Sequence, residues 1–376
     1  MTKIMIIAGE VSGDMHAAAL VKAANRLNTN LQWFGIGGSL MRSAGVETLH
    51  DISEMAVVGL AEVLKRYLFF RRVFFEMLDV ADKRRPDVVI LVDYPGFNLR
   101  LAERLHKRGI KVVYYICPQV WAWHRERIPK MAKIIDHLIT IFPFEADHFA
   151  GTGLRVTYAG HPLVDEIHAA LQNEPEELPW KSEKHIALLP GSRLQEIRRL
   201  LPDMWKAAAI IERNNHETSF IIAAAGSEQS ILMQELIQNN PGPKNFSIVV
   251  NKTRDILRTS HAAMVASGTA TVETALLRCP MVVVYRVNGL TYHILKHLVK
   301  VDNIGMVNVL AGKQICPELI QHELTPQKLA KEMLPLIDET PQRKRMLNEL
   351  NRVISLMGKG GTAQHAAQIL LDQIGL

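Results

Sequence analysis

The sequence predicts an α/β protein built as two doubly wound, Rossmann-like domains that face each other across a cleft. Three observations predict it. Short, apolar, β-rich runs alternate with amphipathic stretches almost from end to end. That rhythm breaks at Pro162 and the acidic, proline-containing stretch QNEPEELPW, and then resumes. At 376 residues the chain is also too long for one small core.

In the first series, Ile4–Ala8, Leu31–Ile36, Val88–Asp93, Lys111–Ile116, His137–Ile141 and Arg155–Tyr158 read as buried strands. Helical patterns such as Gly13–Leu27 and Asn98–Arg108 lie between them. The second series is His185–Leu189, Ser219–Ala224, Phe246–Val250, Ala262–Ala266 and Pro280–Tyr285. Gln342–Met357 and Gly361–Ile374 read as helices with no strand after them, suited to packing back on the first domain or on a partner subunit. The expected division is 1–165 for the first domain, 166–350 for the second and 351–376 for the terminal helices. Open α/β sheets bind ligands at the carboxyl ends of their strands, so one domain can hold a donor and the other an acceptor.

Composition narrows the class. Hydrophobic residues make up 48% and charged residues 22%, a balance that fits a packed core and argues against disorder. Cys117, Cys279 and Cys316 form no CxxC and no ligand-spaced cluster, which disfavours a disulfide framework or structural zinc and fits a reducing compartment. The apolar N-terminal stretch is too short for a signal peptide, and no run approaches the ~20 apolar residues of a membrane span. A cytoplasmic protein is expected. The net charge of +6 suits an anionic partner, or is simply solvated. Nucleic acid is disfavoured, because the basic residues are not interleaved with stacking aromatics.

Several turns carry chemistry. The first βα turn, GEVSGD, is glycine-rich, but no carboxylate ends the second strand as a dinucleotide-binding ribose site requires. Glu10 can point from this turn towards a ligand, or can cap the helix. Asp93 closes a buried strand, where it can take a proton from an attacking hydroxyl or pin the following loop. In the second domain Gly191, Ser192 and Arg193 follow a strand; exposed N–H groups and a guanidinium suit phosphate oxygens, although Arg193 also reads as a surface residue of a first helical turn. Ser267, Gly268 and Thr269 open another helix, at the end that favours a diphosphate. Glu273, four residues past Thr269, can hold ribose hydroxyls or complement the helix dipole. With no Asp-x-Asp, HExxH or GxSxG in the sequence, no metal site is expected and the leaving diphosphate falls to these groups.

Gly59–Val80 is crowded with Leu, Phe, Tyr and Val and interrupted by Lys65, Arg66, Arg71 and Arg72. It reads either as an amphipathic element touching an anionic membrane or acyl chains through Leu68, Phe69, Phe70, Phe74 and Phe75, or as a helix with one wide core face.

The strings IMIIAGEVSGD, VDYPGFN, ICPQVWAW, YAGHPLVDE, LLPGSRLQEI, ASGTATVETALL and NVLAG occur in that order. Together they resemble the lipid-A-disaccharide synthase family over nearly the whole chain. The resemblance implies a glycosyltransferase-B fold and transfer of 2,3-diacylglucosamine from UDP-2,3-diacylglucosamine to 2,3-diacylglucosamine 1-phosphate (lipid X), with UDP released. It implies catalytic roles for Glu10 and Asp93, and donor-binding roles for Arg193, Glu273 and Asn308. It also implies peripheral attachment to the inner face of a Gram-negative inner membrane, no cofactor, and a homodimer exchanging C-terminal elements. Rival readings on the same architecture are a lipid-linked peptidoglycan glycosyltransferase and a UDP-N-acetylglucosamine 2-epimerase. A non-catalytic nucleotide-sugar or lipid-binding protein is the rival from another class.

Overall fold

The computed structural model describes residues 1–55, 66–238, 240–288 and 303–376. The chain divides into two compact units, Met1–Asp165 with Lys359–Leu376, and Glu166–Gly358.

The first unit begins β1 (Thr2–Ala8), α1 (Val11–Leu27), β2 (Leu31–Gly37), α2 (Ser39–Ser43), β3 (Glu47–Asp51) and α3 (Ile52–Met55). It continues with α4 (Tyr67–Arg84), β4 (Val88–Val92), α5 (Pro95–His106), β5 (Lys111–Tyr115), α6 (Ile128–Ile134), β6 (His137–Thr140) and β7 (Arg155–Tyr158). Its seven strands pair in the order β3-β2-β1-β4-β5-β6-β7, all parallel. Every residue of β4 is buried, as expected for a central strand covered on both faces. Sequence periodicity missed β3, because ETLHD lies at the sheet edge, is only part-buried and carries no apolar run.

The helix α7 (Pro162–Leu171) carries the chain into the second unit. There β8 (Lys184–Leu189), α8 (Leu194–Asn214), β9 (Thr218–Ala224), α9 (Ser227–Gln238), β10 (Phe246–Val250) and α10 (Thr253–Thr259) follow. Then come β11 (Ala262–Ala266), α11 (Thr269–Leu276), β12 (Met281–Tyr285), α12 (Met306–Ala311), β13 (Glu318–Ile320), α13 (Pro326–Ile337) and α14 (Pro341–Leu356). The six strands run β10-β9-β8-β11-β12-β13, again all parallel. The stretch QNEPEELPW belongs to this unit, fastened by Trp180, whose ring stacks 4.3 Å from His185 and whose indole N–H donates to Thr259 Oγ1 at 3.1 Å.

The last helix, α15 (Thr362–Ile374), packs on α1 of its own chain, whereas α14 packs on α12 and α13 of the second unit. Asp165 anchors the return. Its carboxylate accepts from the backbone N–H of Gly361 and, at 2.9 Å, of Thr362, at the start of α15. No helix among the described residues is long and apolar enough to cross a membrane. Residues 59–65 of the apolar, arginine-interrupted region lie outside the described residues; the remainder is α4, which buries Val73, Met77, Leu78 and Ala81.

One buried charge organises the first turns. The Asp14 carboxylate, on α1, accepts from the N–H groups of Gly38 at 2.6 Å, Leu40 at 3.1 Å and Met41 at 3.2 Å. It thereby supplies the first turn of α2 with the acceptors a helix start lacks. Removing it strands several buried donors, so Asp14→Ala is expected to lower unfolding free energy by roughly 2–3 kcal/mol, read from urea denaturation. A loss under about 0.5 kcal/mol, the usual surface value, would contradict this role.

Candidate active site

At the carboxyl end of β4 the backbone bends sharply. Asp93 and Tyr94 both adopt left-handed conformations, φ +47° and +48°. Such residues cost of order 1–3 kcal/mol each unless their surroundings hold them. Here the holding groups are specific. Tyr114 Oη donates to the Asp93 carbonyl at 2.6 Å, and Asn98 Nδ2 donates to the same carbonyl at 2.8 Å. The Asp93 N–H donates to the Tyr115 carbonyl at 3.0 Å. The Tyr94 ring then lies over Gly9, where a Cβ would come within 2.3 Å of it; only glycine fits.

That contact sets the β1–α1 and β4–α5 turns against one another and brings Glu10 within electrostatic reach of Asp93. Glu10 is the N-cap residue of α1, yet its side chain makes no capping hydrogen bond and is exposed. Burial first, and the Glu10 charge second, push the Asp93 pKa up to about 6, while the Tyr94 N–H pulls it down. A carboxyl group titrating there can accept a proton near neutral pH with useful driving force.

Glu145 lies in the same field and was not singled out by sequence reasoning. It is almost fully buried. Its carboxyl accepts from Trp121 Nε1 at 3.3 Å and from the Phe142 N–H at 3.1 Å. Burial pushes its pKa up to about 7, with the Asp93 charge adding to the rise. His161, also buried and facing the charge of His16, is held neutral with a pKa near 3. Its Nδ1 accepts from the Leu163 N–H at 3.2 Å. Neither role could be read from local sequence, since burial here comes from segments far apart in the chain.

In the second unit, Gly191 has φ +109°, and a Cβ there would come within 2.5 Å of Glu196 Oε2. The glycine lets Glu196 fold back to accept from the Arg193 N–H, at a long 3.4 Å, and from Arg193 Nη1 at 2.9 Å. The Arg193 side chain is 83% exposed, so its guanidinium can turn towards an incoming anion. The Ser192 carbonyl accepts from Gln229 Nε2 at 3.2 Å.

Ser267, Gly268 and Thr269 sit between β11 and α11, with Gly268 as N-cap at φ +147°. Ser267 is more occupied than the sequence suggested: its N–H donates to the Val284 carbonyl at 2.9 Å and its hydroxyl to the Ile304 carbonyl at 2.9 Å. The anion-binding capacity of this turn therefore falls to the Thr269 and Ala270 amides, since the Thr271 N–H donates to the Gly268 carbonyl at 3.1 Å. Glu273 is largely buried and receives Arg254 Nε on Oε1 at 2.9 Å. Arg254 also pairs with Glu166, so one guanidinium bridges two carboxylates and fixes the angle of Glu273. Sequence reasoning missed Arg254; its partners lie 19 and 88 positions away.

Asn308, which the resemblance assigns to donor binding, is engaged within the protein in this structure. It is fully buried, and both amide ends are spent. Nδ2 donates to the Cys316 carbonyl at 2.8 Å and to Glu318 Oε1 at 2.7 Å, while Oδ1 accepts from the N–H groups of Ile315 and Cys316 at 2.8 and 2.9 Å. Glu318 in turn accepts from the N–H groups of Ile304 and Gly305 at 3.0 and 2.9 Å. Asn308 thus supports the segment whose Ile304 carbonyl holds the Ser267 hydroxyl.

On α4, Phe69, Phe70 and Phe74 are partly buried against the first unit's core, whereas Leu68 is 73% and Phe75 51% exposed. The five residues therefore split between core and surface.

A family model described as lipid-A-disaccharide synthetase matches residues 4–371. A lipid-A-disaccharide synthase from Geobacter metallireducens is 38% identical, covering 99% of this chain and 97% of its own. One from Myxococcus xanthus is also 38% identical, covering 98% and 97%. Among solved structures, a UDP-GlcNAc 2-epimerase from Neisseria meningitidis bound to UDP-GlcNAc superposes with a TM-score of 0.64 at 12% identity, covering 99% of both chains. A calicheamicin glycosyltransferase does so with 0.60 at 14%, covering 100% of both. These structural likenesses establish the glycosyltransferase-B fold.

The raised Asp93 pKa has a stability consequence. Between the ordinary value of 3.8 and about 6, the folded protein keeps a proton that the unfolded chain releases. Stability from this group is therefore complete below pH 4 and is lost as pH rises through 6. Asp93→Asn, which tolerates the left-handed backbone, is expected to raise Tm at pH 8 and to leave it unchanged near pH 4. Equal Tm at both pH values would contradict the buried-carboxyl account.

Proposed function

The chain belongs to the lipid-A-disaccharide synthase family and is a glycosyltransferase; from that premise we propose how it works and on what. The donor is UDP-2,3-diacylglucosamine and the acceptor is 2,3-diacylglucosamine 1-phosphate. The products are the β-1,6-linked disaccharide 1-phosphate and UDP. The observation that carries this reading is the Asp93 carboxyl at the end of β4, with its pKa near neutrality and Glu10 beside it.

The acceptor's 6-hydroxyl attacks the anomeric carbon from the face opposite UDP. The new C–O bond forms as the bond to the diphosphate breaks, and the configuration inverts. Asp93 takes the hydroxyl proton, help worth ~10²–10⁴-fold in rate. Glu10 orients the acceptor and keeps Asp93 basic. Positive charge builds on the sugar, as in other oxocarbenium-like displacements. The negative charge left on UDP is met by Arg193 and the first amides of α11, the kind of preorganised stabilisation that acts where charge develops. Glu273, braced by Arg254, holds the ribose hydroxyls.

On these diacylated substrates the enzyme would work at the cytoplasmic face of the inner membrane, held peripherally. The exposed Leu68 and Phe75 of α4, with exposed Arg71 and Arg72 between them, support this attachment. A homodimer formed by exchange of the C-terminal segment would rebuild the α1–α15 contact between two chains.

Two measurements test the proposal. Arg193→Ala is expected to lower kcat/KM for UDP release in the presence of acceptor by at least tenfold with an unchanged Tm; unchanged kinetics would remove Arg193 from the leaving-group site. Leu68→Ser with Phe75→Ser is expected to weaken sedimentation with phosphatidylglycerol vesicles several-fold and leave Tm intact. Undiminished vesicle binding would remove α4 from the membrane contact.

A further inference from the structure

On the first unit, α5 and α6 pack side by side and leave a cavity of about 210 Å³ between them. It begins at Pro95, two residues past Asp93. Its floor is Leu99, Met131 and Ile134; the last two are buried members of the core, so the apolar surface is preformed. Its rim carries Arg100, Arg127 and Lys130. The volume is below the ~300–1,000 Å³ of sites that enclose a whole drug-sized ligand. It suits one arm of a larger molecule.

The rim charges are not equivalent. Lys130 is paired with Glu103 at 2.7 Å, and Glu103 also holds Lys107 at 3.1 Å. Arg100 and Arg127 form no ion pair with a carboxylate among the described residues. Two guanidinium groups outside any ion pair, Arg127 within the field of the exposed Glu126 beside it, stand next to an apolar floor. A purely apolar occupant would cover those guanidiniums without compensating them, and a small free anion would leave the floor wet. The chemistry that satisfies both halves is an anionic amphiphile, with phosphate oxygens on the guanidiniums and hydrocarbon on the floor.

We propose that this groove is the acceptor subsite, with the acceptor's 1-phosphate on Arg100 and Arg127 and its 2-acyl chain along Leu99, Met131 and Ile134. The proposal rests on the transfer reading above and specifies how the acceptor is held. The acceptor's own connectivity agrees with it. The 2-acyl group is borne by the ring carbon next to the phosphate-bearing one, so phosphate and chain enter one groove together. The 6-hydroxyl lies at the other end of the sugar, free to meet Asp93. In this arrangement the phosphate chooses the acceptor and fixes its register, and the base acts on what the groove presents.

The experiment compares two detergent-solubilised acceptors, 2,3-diacylglucosamine with and without the 1-phosphate, in the parent enzyme and in Arg100→Gln/Arg127→Gln. Arg100 is exposed and Arg127 half-buried at the rim, so folding is expected to survive, and Tm checks it. The parent is expected to prefer the phosphorylated acceptor, and the double variant to lose at least tenfold of that preference in kcat/KM, mainly through acceptor KM. Activity on the unphosphorylated acceptor and donor KM stay unchanged. An unaltered preference overturns the proposal. So does an unaltered preference with reduced binding to phosphatidylglycerol vesicles, which would make these arginines contacts to bulk membrane phosphate. A parent enzyme that transfers to neither acceptor would instead overturn the function proposed above, and this subsite with it.

Discussion

The first unit depends on a backbone that two residues would not adopt alone. Asp93 and Tyr94 are left-handed because Tyr114 and Asn98 grip the Asp93 carbonyl and because Gly9 leaves room for the Tyr94 ring. Without that grip the chain would leave β4 in an ordinary turn, and the carboxyl would face water at an ordinary pKa. With it, a carboxyl group sits half-desolvated beside a second one, and its proton affinity rises into the range where a base is useful. Strain, burial and like charge converge on one side chain. Each would be a liability in a residue that only held the fold together.

The donor site proposed for the second unit makes a different demand. A diphosphate needs donors that are already in place, and the turn at Ser267–Thr269 keeps its shape because its own polar groups are spent on Val284 and Ile304. Asn308 and Glu318 hold Ile304 in turn. Arg254 plays the equivalent part for Glu273, its guanidinium shared with Glu166. In the proposed donor site, residues that never touch the nucleotide would decide how rigidly it is met, which is where preorganisation is built.

Much of this was legible in the sequence. Central strands such as Val88–Val92 announce themselves as unbroken apolar runs, since both faces of a parallel sheet are covered. Glycine-rich and charged turns at their carboxyl ends could be located from the same reading. β3 and β13 were missed because ETLHD carries no apolar run and β13 is only three residues long. Asp14, Glu145 and Arg254 were missed for another reason: their partners lie on other turns of the fold, and no local pattern records a meeting between positions 14 and 38 or 254 and 166. Asn308 illustrates the converse. Its motif pointed to a ligand, while its amide is wholly engaged within the protein. The aromatic run of α4 divided likewise, Phe69, Phe70 and Phe74 packing partly against the core and Phe75 facing outward.

The central claim is that burial and the Glu10 charge together make Asp93 a base at neutral pH. Its most direct test is a carboxyl-carbon NMR titration of Asp93 in the unmodified protein and in Glu10→Gln. The account expects a midpoint close to 6 in the former and a lower one in the latter, because removing a neighbouring negative charge eases ionisation. A midpoint in the ordinary aspartate range for both proteins would contradict it.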